Sequence, residues 1–156
     1  MKLFHVTTRD FIDGEIIAAT APTPYYPSVT AELEKCKPPT APSRIFCVFA
    51  SDSPDYYVAD LMVKKIPLHQ IKLYEVEIDN PWKSPVKLVH AIDFNVRYKK
   101  PFDKLVAEYW EPTTEWNYYE LFGRQMTIVR KLDVQNPDVD LIRAKHNADL
   151  LKAQQL

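Results

Sequence analysis

Apolar and polar residues recur along this chain with periods that divide it into short strands and helices. The opening run Lys2–Thr8 is rich in aromatic and β-branched residues and predicts a strand. Its alternation puts Leu3, His5 and Thr7 on one face and Phe4 and Val6 on the other. One face is ordinary core, and the other carries an imidazole next to a hydroxyl. Phe11-Ile12 and Ile16-Ile17, after the capping side chains of Thr8-Arg9-Asp10, predict a short helix. From Ala18 to Ser43 six prolines break the pattern, with room for a short helix around Val29–Cys36. Arg44–Ala50 is the clearest strand, apolar on both faces and therefore expected to be central.

Ser53, Pro54 and Asp55 then supply an N-cap, a first helical position and an acidic first turn, for a helix expected to reach Lys65. Gln70–Asp79 alternates as a strand, and Val86–Tyr98 fits either helix or strand. Asp103–Trp110 reads as a helix. Trp116–Phe122 and Arg124–Leu132 are strand-like around Gly123, and Asn136-Pro137 opens a last amphipathic helix running towards Leu156. The sum is an α+β domain with split mixed or antiparallel sheets and flanking helices. Residues 1–134 are expected to form the main domain, with 135–156 as a C-terminal helix packed on it.

Composition narrows the function classes. A formal net charge of -1 argues against a general nucleic-acid coat or an anionic-membrane binder, while leaving room for a local basic patch. With 2 glycines against 13 prolines, neither a P-loop nor a glycine-rich dinucleotide fingerprint can be built. The 2 cysteines, Cys36 and Cys47, are too few for a disulfide framework and lack zinc spacing. No signal sequence precedes the first strand and no apolar run is long enough to span a membrane, so a cytoplasmic protein is expected.

Two further groups could carry chemistry. Glu120 shares a strand face with Tyr118 and Phe122, and a carboxylate among apolar neighbours is costly unless paired, solvated or held for function. Tyr56-Tyr57, at a helix start, offer flat amphipathic rings suited to core packing or to stacking on a planar ligand. His69, His90 and His146 are scattered and make no ligand cluster with His5.

The order of these features resembles the ADP-ribosyltransferase superfamily, in its His-Tyr-Glu branch of diphtheria-toxin-like and poly-ADP-ribose-polymerase-like enzymes. Phe4-His5-Val6-Thr7 resembles the family's Tyr/Phe-His-Gly-Thr/Ser motif. Val48-Phe49-Ala50-Ser51 resembles the aromatic strand that ends in Ala/Ser before a helix, and Glu120-Leu121 the late Glu-x-Leu strand of small bacterial and phage members. Val6 stands where the family often has glycine, and Val48 where many members have tyrosine, so stacking would pass to Tyr57 or Tyr56, or to Tyr25 or Tyr26 in the loop.

The resemblance implies a mono-ADP-ribosyltransferase, a phage or bacterial effector, that cleaves NAD and transfers ADP-ribose to a macromolecular acceptor, a protein in preference to a nucleic acid. His5 would bond a ribose hydroxyl of NAD, with Thr7 and Ser51 also at the cofactor. A tyrosine would stack on nicotinamide, and Arg44 or Arg9 would meet the pyrophosphate. Glu120 would hold the nicotinamide-ribose 2′-hydroxyl more tightly as the ribose becomes cationic. Glu115 is a reserve carboxylate, and the proline-rich segment would cover NAD or read the acceptor. The contrasting expectation is a non-enzymatic interaction module, such as a host-factor inhibitor, using Trp110, Trp116 and Tyr109 as interface anchors. A third is another nucleotide-cleaving or phosphate-binding enzyme using His5 and Glu120.

Overall fold

A computed structural model describes residues 2–156. Seven strands and five helices follow in the order β1 (Leu3–Thr7), β2 (Ile16–Ala18), α1 (Pro27–Lys35), β3 (Val48–Ala50), α2 (Pro54–Val63), β4 (Lys72–Glu77), β5 (Trp82–Pro85), α3 (Lys87–Arg97), α4 (Asp103–Trp110), β6 (Tyr119–Gly123), β7 (Gln125–Leu132) and α5 (Val139–Gln154). The strands form two antiparallel sheets, one ordered β1-β4-β7-β2 and one ordered β3-β6-β5. The fold is thus α+β with open sheets. Among the described residues, no helix is long and apolar enough to cross a membrane.

Strand alternation sorts the core into two layers. Val48, Ala50 and Leu121 face the larger sheet and pack with its Leu3, Val76, Met126 and Ile128. Phe49 and Phe122, cross-strand partners in β3 and β6, point the other way, towards Leu33, Leu88, Val106 and Trp110 of α1, α3 and α4. The smaller sheet is therefore buried on both sides, which explains the apolar character of β3. Its strand order nonetheless places β3 at an edge rather than at the centre. The open side of β3 is closed by a single bridge in which Phe4 and Ser51 exchange N–H···O bonds of 2.8 Å each way, joining the two sheets.

Several expected elements are displaced, each for a local reason. Residues Phe11–Ile17 form no helix: Gly14 turns the chain at φ 83, and Ile16–Ala18 then pair with β7 as β2. The strand expected from Arg44 begins only at Val48. Side chains capture the backbone before it, for the Thr23 hydroxyl donates to the Arg44 and Ile45 carbonyls and the Glu34 carboxylate accepts from the Arg44 N–H. α2 stops at Val63, because Lys65 turns to φ 69. β6 starts at Tyr119 rather than Trp116, since Asp149 of α5 holds the N–H groups of Asn117 and Tyr118 at 3.1 Å. Val86–Tyr98 resolves as a helix, and β5 pairs Trp82–Pro85 with β6 despite its two flanking prolines.

A final helix forms at Val139–Gln154 but without the expected amphipathic pattern, for its attachment is polar as much as apolar. Asp149 is buried, Lys152 donates to the Glu115 carbonyl, and Leu141 and Leu151 face solvent.

Candidate functional site

Glu120 is the second residue of β6, with Ser84 of β5 as its cross-strand partner and both side chains buried. Burying a carboxylate here is compensated by a network drawn from three distant segments. The Arg44 Nε–H donates to Glu120 Oε1 at 3.2 Å and to the Tyr109 hydroxyl at 3.1 Å. The Tyr109 O–H itself donates to the same Oε1, and Arg44 Nη1 donates to the Thr30 hydroxyl. Burial opposes the charge on Arg44, but Glu120 and Tyr109 outweigh it and raise the guanidinium pKa. For Tyr109, burial and then the Glu120 charge push the hydroxyl well above its ordinary range, so it stays a donor.

All of this engages one oxygen. Among the described residues none donates to Glu120 Oε2, and that atom is not sealed in, since the fully buried unpartnered side-chain atoms are Asp52 Oδ1 and Ser84 Oγ. Glu120 is therefore fixed through Oε1 and keeps Oε2 available. Tyr57, in the first turn of α2, is half-buried, and its hydroxyl has no partner among the described residues. Burial first, and then the Glu120 charge, raise its pKa well above the usual phenol value. Asp52 is a further charge acting on Tyr57. Both orphaned polar atoms thus belong to residues around the Tyr57–Glu120 pair. Buried polar atoms left unpaired cost roughly 1–3 kcal/mol each.

His5 occupies the middle of β1, and its Nδ1 lies 3.3 Å from the Phe49 carbonyl. Burial lowers its pKa, partly offset by that hydrogen bond, so the ring is held neutral. A neutral ring donating from Nδ1 keeps Nε2 as an acceptor. Phe49 connects this histidine to Glu120: its carbonyl receives His5 while its ring lies under the Arg44 guanidinium, 5.3 Å from the centroid. A cavity of about 350 Å³ opens beside Phe49, lined by Ala18–Tyr25 and Cys47. The first part of the proline-rich segment, Ala18–Tyr25, lines this opening.

The other sequence candidates fall differently. Arg44 is buried and spent on Glu120, so it does not meet a pyrophosphate; exposed Arg9, beside the Phe11 ring and close enough to lower the His5 pKa, forms no ion pair among the described residues. Ser51 is buried, its backbone bonded to Phe4 and its hydroxyl accepting from the Ser53 N–H, which makes it a link between the sheets. Tyr56 turns away from Glu120, stacking on Tyr118 at 4.5 Å and accepting from Lys87. The Thr7 hydroxyl accepts from the Arg9 N–H. Glu115 lies exposed in the loop before β6. Trp110, Trp116 and Tyr109 are buried at 3%, 6% and 0% exposure and so cannot serve as interface anchors.

Sequence reading missed Arg44 as the partner of Glu120 and Tyr109 as its second donor. A lone arginine in an apolar run, RIFCVFA, was the available signal for the first. No protein-family model matches this chain, and no curated protein is similar to it.

Proposed function

We propose that this protein is an NAD-dependent mono-ADP-ribosyltransferase of the His-Tyr-Glu type, with an ADP-ribosyltransferase-like fold and Glu120, Tyr57 and His5 at its centre. The observation that carries the reading is the split use of the Glu120 carboxylate, with Oε1 clamped by Arg44 and Tyr109 and Oε2 without a donor among the described residues. A carboxylate held in this way presents an acceptor without needing to reorganise. It gains most when the group it binds turns cationic, as a ribose does while nicotinamide departs.

The remaining roles follow from chemistry. Tyr57 offers its ring to nicotinamide, His5 Nε2 accepts from a ribose hydroxyl, and Arg9 meets the pyrophosphate. The cavity beside Phe49 falls within the size range of small-molecule sites, roughly 300–1,000 Å³, and takes the adenosine half under the proline-rich segment. The transfer breaks the bond between nicotinamide and ribose C1′, nicotinamide leaving with the electron pair, and joins C1′ to an acceptor nucleophile.

The test is incubation of the protein with NAD labelled in the adenylate moiety and a cell lysate. Label on macromolecules with the wild type, absent with Glu120→Ala and with His5→Ala, supports the transferase. No label and no nicotinamide release from any of the three proteins rejects it.

A further inference from the structure

One surface of the fold gathers exposed rings and cations outside the residues assigned above. His90, Phe94, Arg97 and Tyr98 recur along α3 and its C-cap at spacings of four, seven and eight, which puts them on one stripe. Phe94 is 49% and Tyr98 64% exposed, and their ring centroids stand 4.5 Å apart. At the other end of the stripe the Tyr26 ring lies 5.5 Å from His90, held there by its left-handed backbone at φ 48 ahead of α1. Single exposed aromatics are ordinary, whereas a row of them marks an interaction surface.

Positive charge is interleaved with this row. The Lys100 ammonium sits 5.2 Å from the Phe94 ring centroid, and neighbouring Lys99 is exposed. Arg97 pairs with Asp93 yet keeps 68% of its side chain in solvent, and Lys64 pairs with Asp60 while keeping 61%. Asp60 and Asp93 are thus already engaged, and Lys99 and Lys100 form no ion pair among the described residues. In a chain of net charge -1 this is a local positive feature and not general basicity.

We propose that this surface binds single-stranded nucleic acid, with unpaired bases on the Tyr26, Phe94 and Tyr98 rings and phosphates on the intervening cations. A duplex hides the faces of its bases and cannot use the ring row. The surface adjoins the proposed active site, because α2 carries Tyr57 in its first turn and Lys64 at its C-cap, about 10 Å further along the axis. Lys64 thus brings the edge of this surface within two helical turns of Tyr57 along α2. Resting on the transferase reading, this makes the strand the acceptor: a base nitrogen or sugar hydroxyl bonds to ribose C1′ as nicotinamide leaves with the electron pair, and the nucleophile's proton passes to solvent.

Binding is measured without NAD, so that its failure is distinct from failure of the transferase reading. The probe is a fluorescein-labelled 12-mer of thymidine, followed by anisotropy, with a duplex of equal length in parallel. Saturable binding to the single strand is expected, weaker for the duplex, weakened about tenfold by Phe94→Ala/Tyr98→Ala and unchanged by Arg124→Ala on the distant β6–β7 turn. Circular dichroism confirms that the exposed double variant stays folded. Absence of binding at low salt, equal affinity for duplex, or indifference to the double variant overturns the proposal. If the oligonucleotide fails to bind while the double variant abolishes labelling of a lysate protein, the surface belongs to a protein partner and the proposal also falls.

Discussion

Arg44 and Glu120, 76 positions apart in the chain, meet at 3.2 Å with side chains only 2% and 7% exposed. Neither charge has enough solvent to stand alone, so removing one strands the other. Arg44→Met is expected to cost about 3–5 kcal/mol in urea unfolding. The double variant Arg44→Met/Glu120→Gln should be less destabilised than Arg44→Met alone. Equal stability of the wild type and Arg44→Met would show that the pair is not the support described.

The two adjacent tyrosines should separate stability from chemistry. Tyr57→Ala is expected to lower nicotinamide release at least tenfold while changing stability modestly. Tyr56→Phe should do the reverse, since it removes the hydroxyl that accepts from the fully buried Lys87. Turnover and thermal melts on both variants check this assignment, which fails if Tyr56→Phe is the one that loses turnover.

Gly123 closes β6 where a side chain would collide with the core. A Cβ there would lie 2.6 Å from Ile78 Cγ2. Gly123→Ala should therefore destabilise by roughly 1–3 kcal/mol, as overpacking does. Shortening the obstacle in Ile78→Val leaves Cγ2 in place and should not change the penalty, whereas in an Ile78→Ala background the further cost of Gly123→Ala should be smaller than in the wild type. Calorimetric melting of the single and double variants distinguishes these outcomes.

Burial of basic groups between α2, α3 and α5 sets the pH dependence. Burial lowers Lys87 to about 8 from 10.5, with Asp60 and Asp149 opposing. Burial, then the Lys87 and His146 charges, lower His90 to about 4 from 6.5. For each group the unfolded chain binds more protons between those values, so stability rises with pH across both windows. The melting temperature should thus climb from pH 4 to 6.5 and again from pH 8 towards 9.5. His90→Gln should flatten the acid limb and Lys87→Met the alkaline one. An alkaline limb that is the same in Lys87→Met would remove Lys87 as its cause.

The local elements were largely legible because their signals are local. Asp103–Trp110 has helical spacing between Pro101 and Pro112, and the Lys72–Glu77 strand alternates within Gln70–Asp79. What was not legible depends on contacts between distant segments. Nothing near Arg44 announces that Thr23 and Glu34 will capture its backbone and abort the strand there. Ile16–Ala18 becomes a strand only because β7 lies beside it. The same holds at the candidate site. His5 and Glu120 stand out as polar groups on strand faces, but the engagement of Tyr56 with Lys87 and Tyr118, and of Arg44 with Glu120, is set by which neighbour each side chain meets.

The most direct measurement compares NAD binding with nicotinamide release for the wild type and Glu120→Gln. If Oε2 acts on the ribose as it becomes cationic, the Kd for NAD should change by less than about threefold while kcat falls by about 100-fold or more. Unchanged kcat in Glu120→Gln, or no NAD binding by the wild type, would contradict the account.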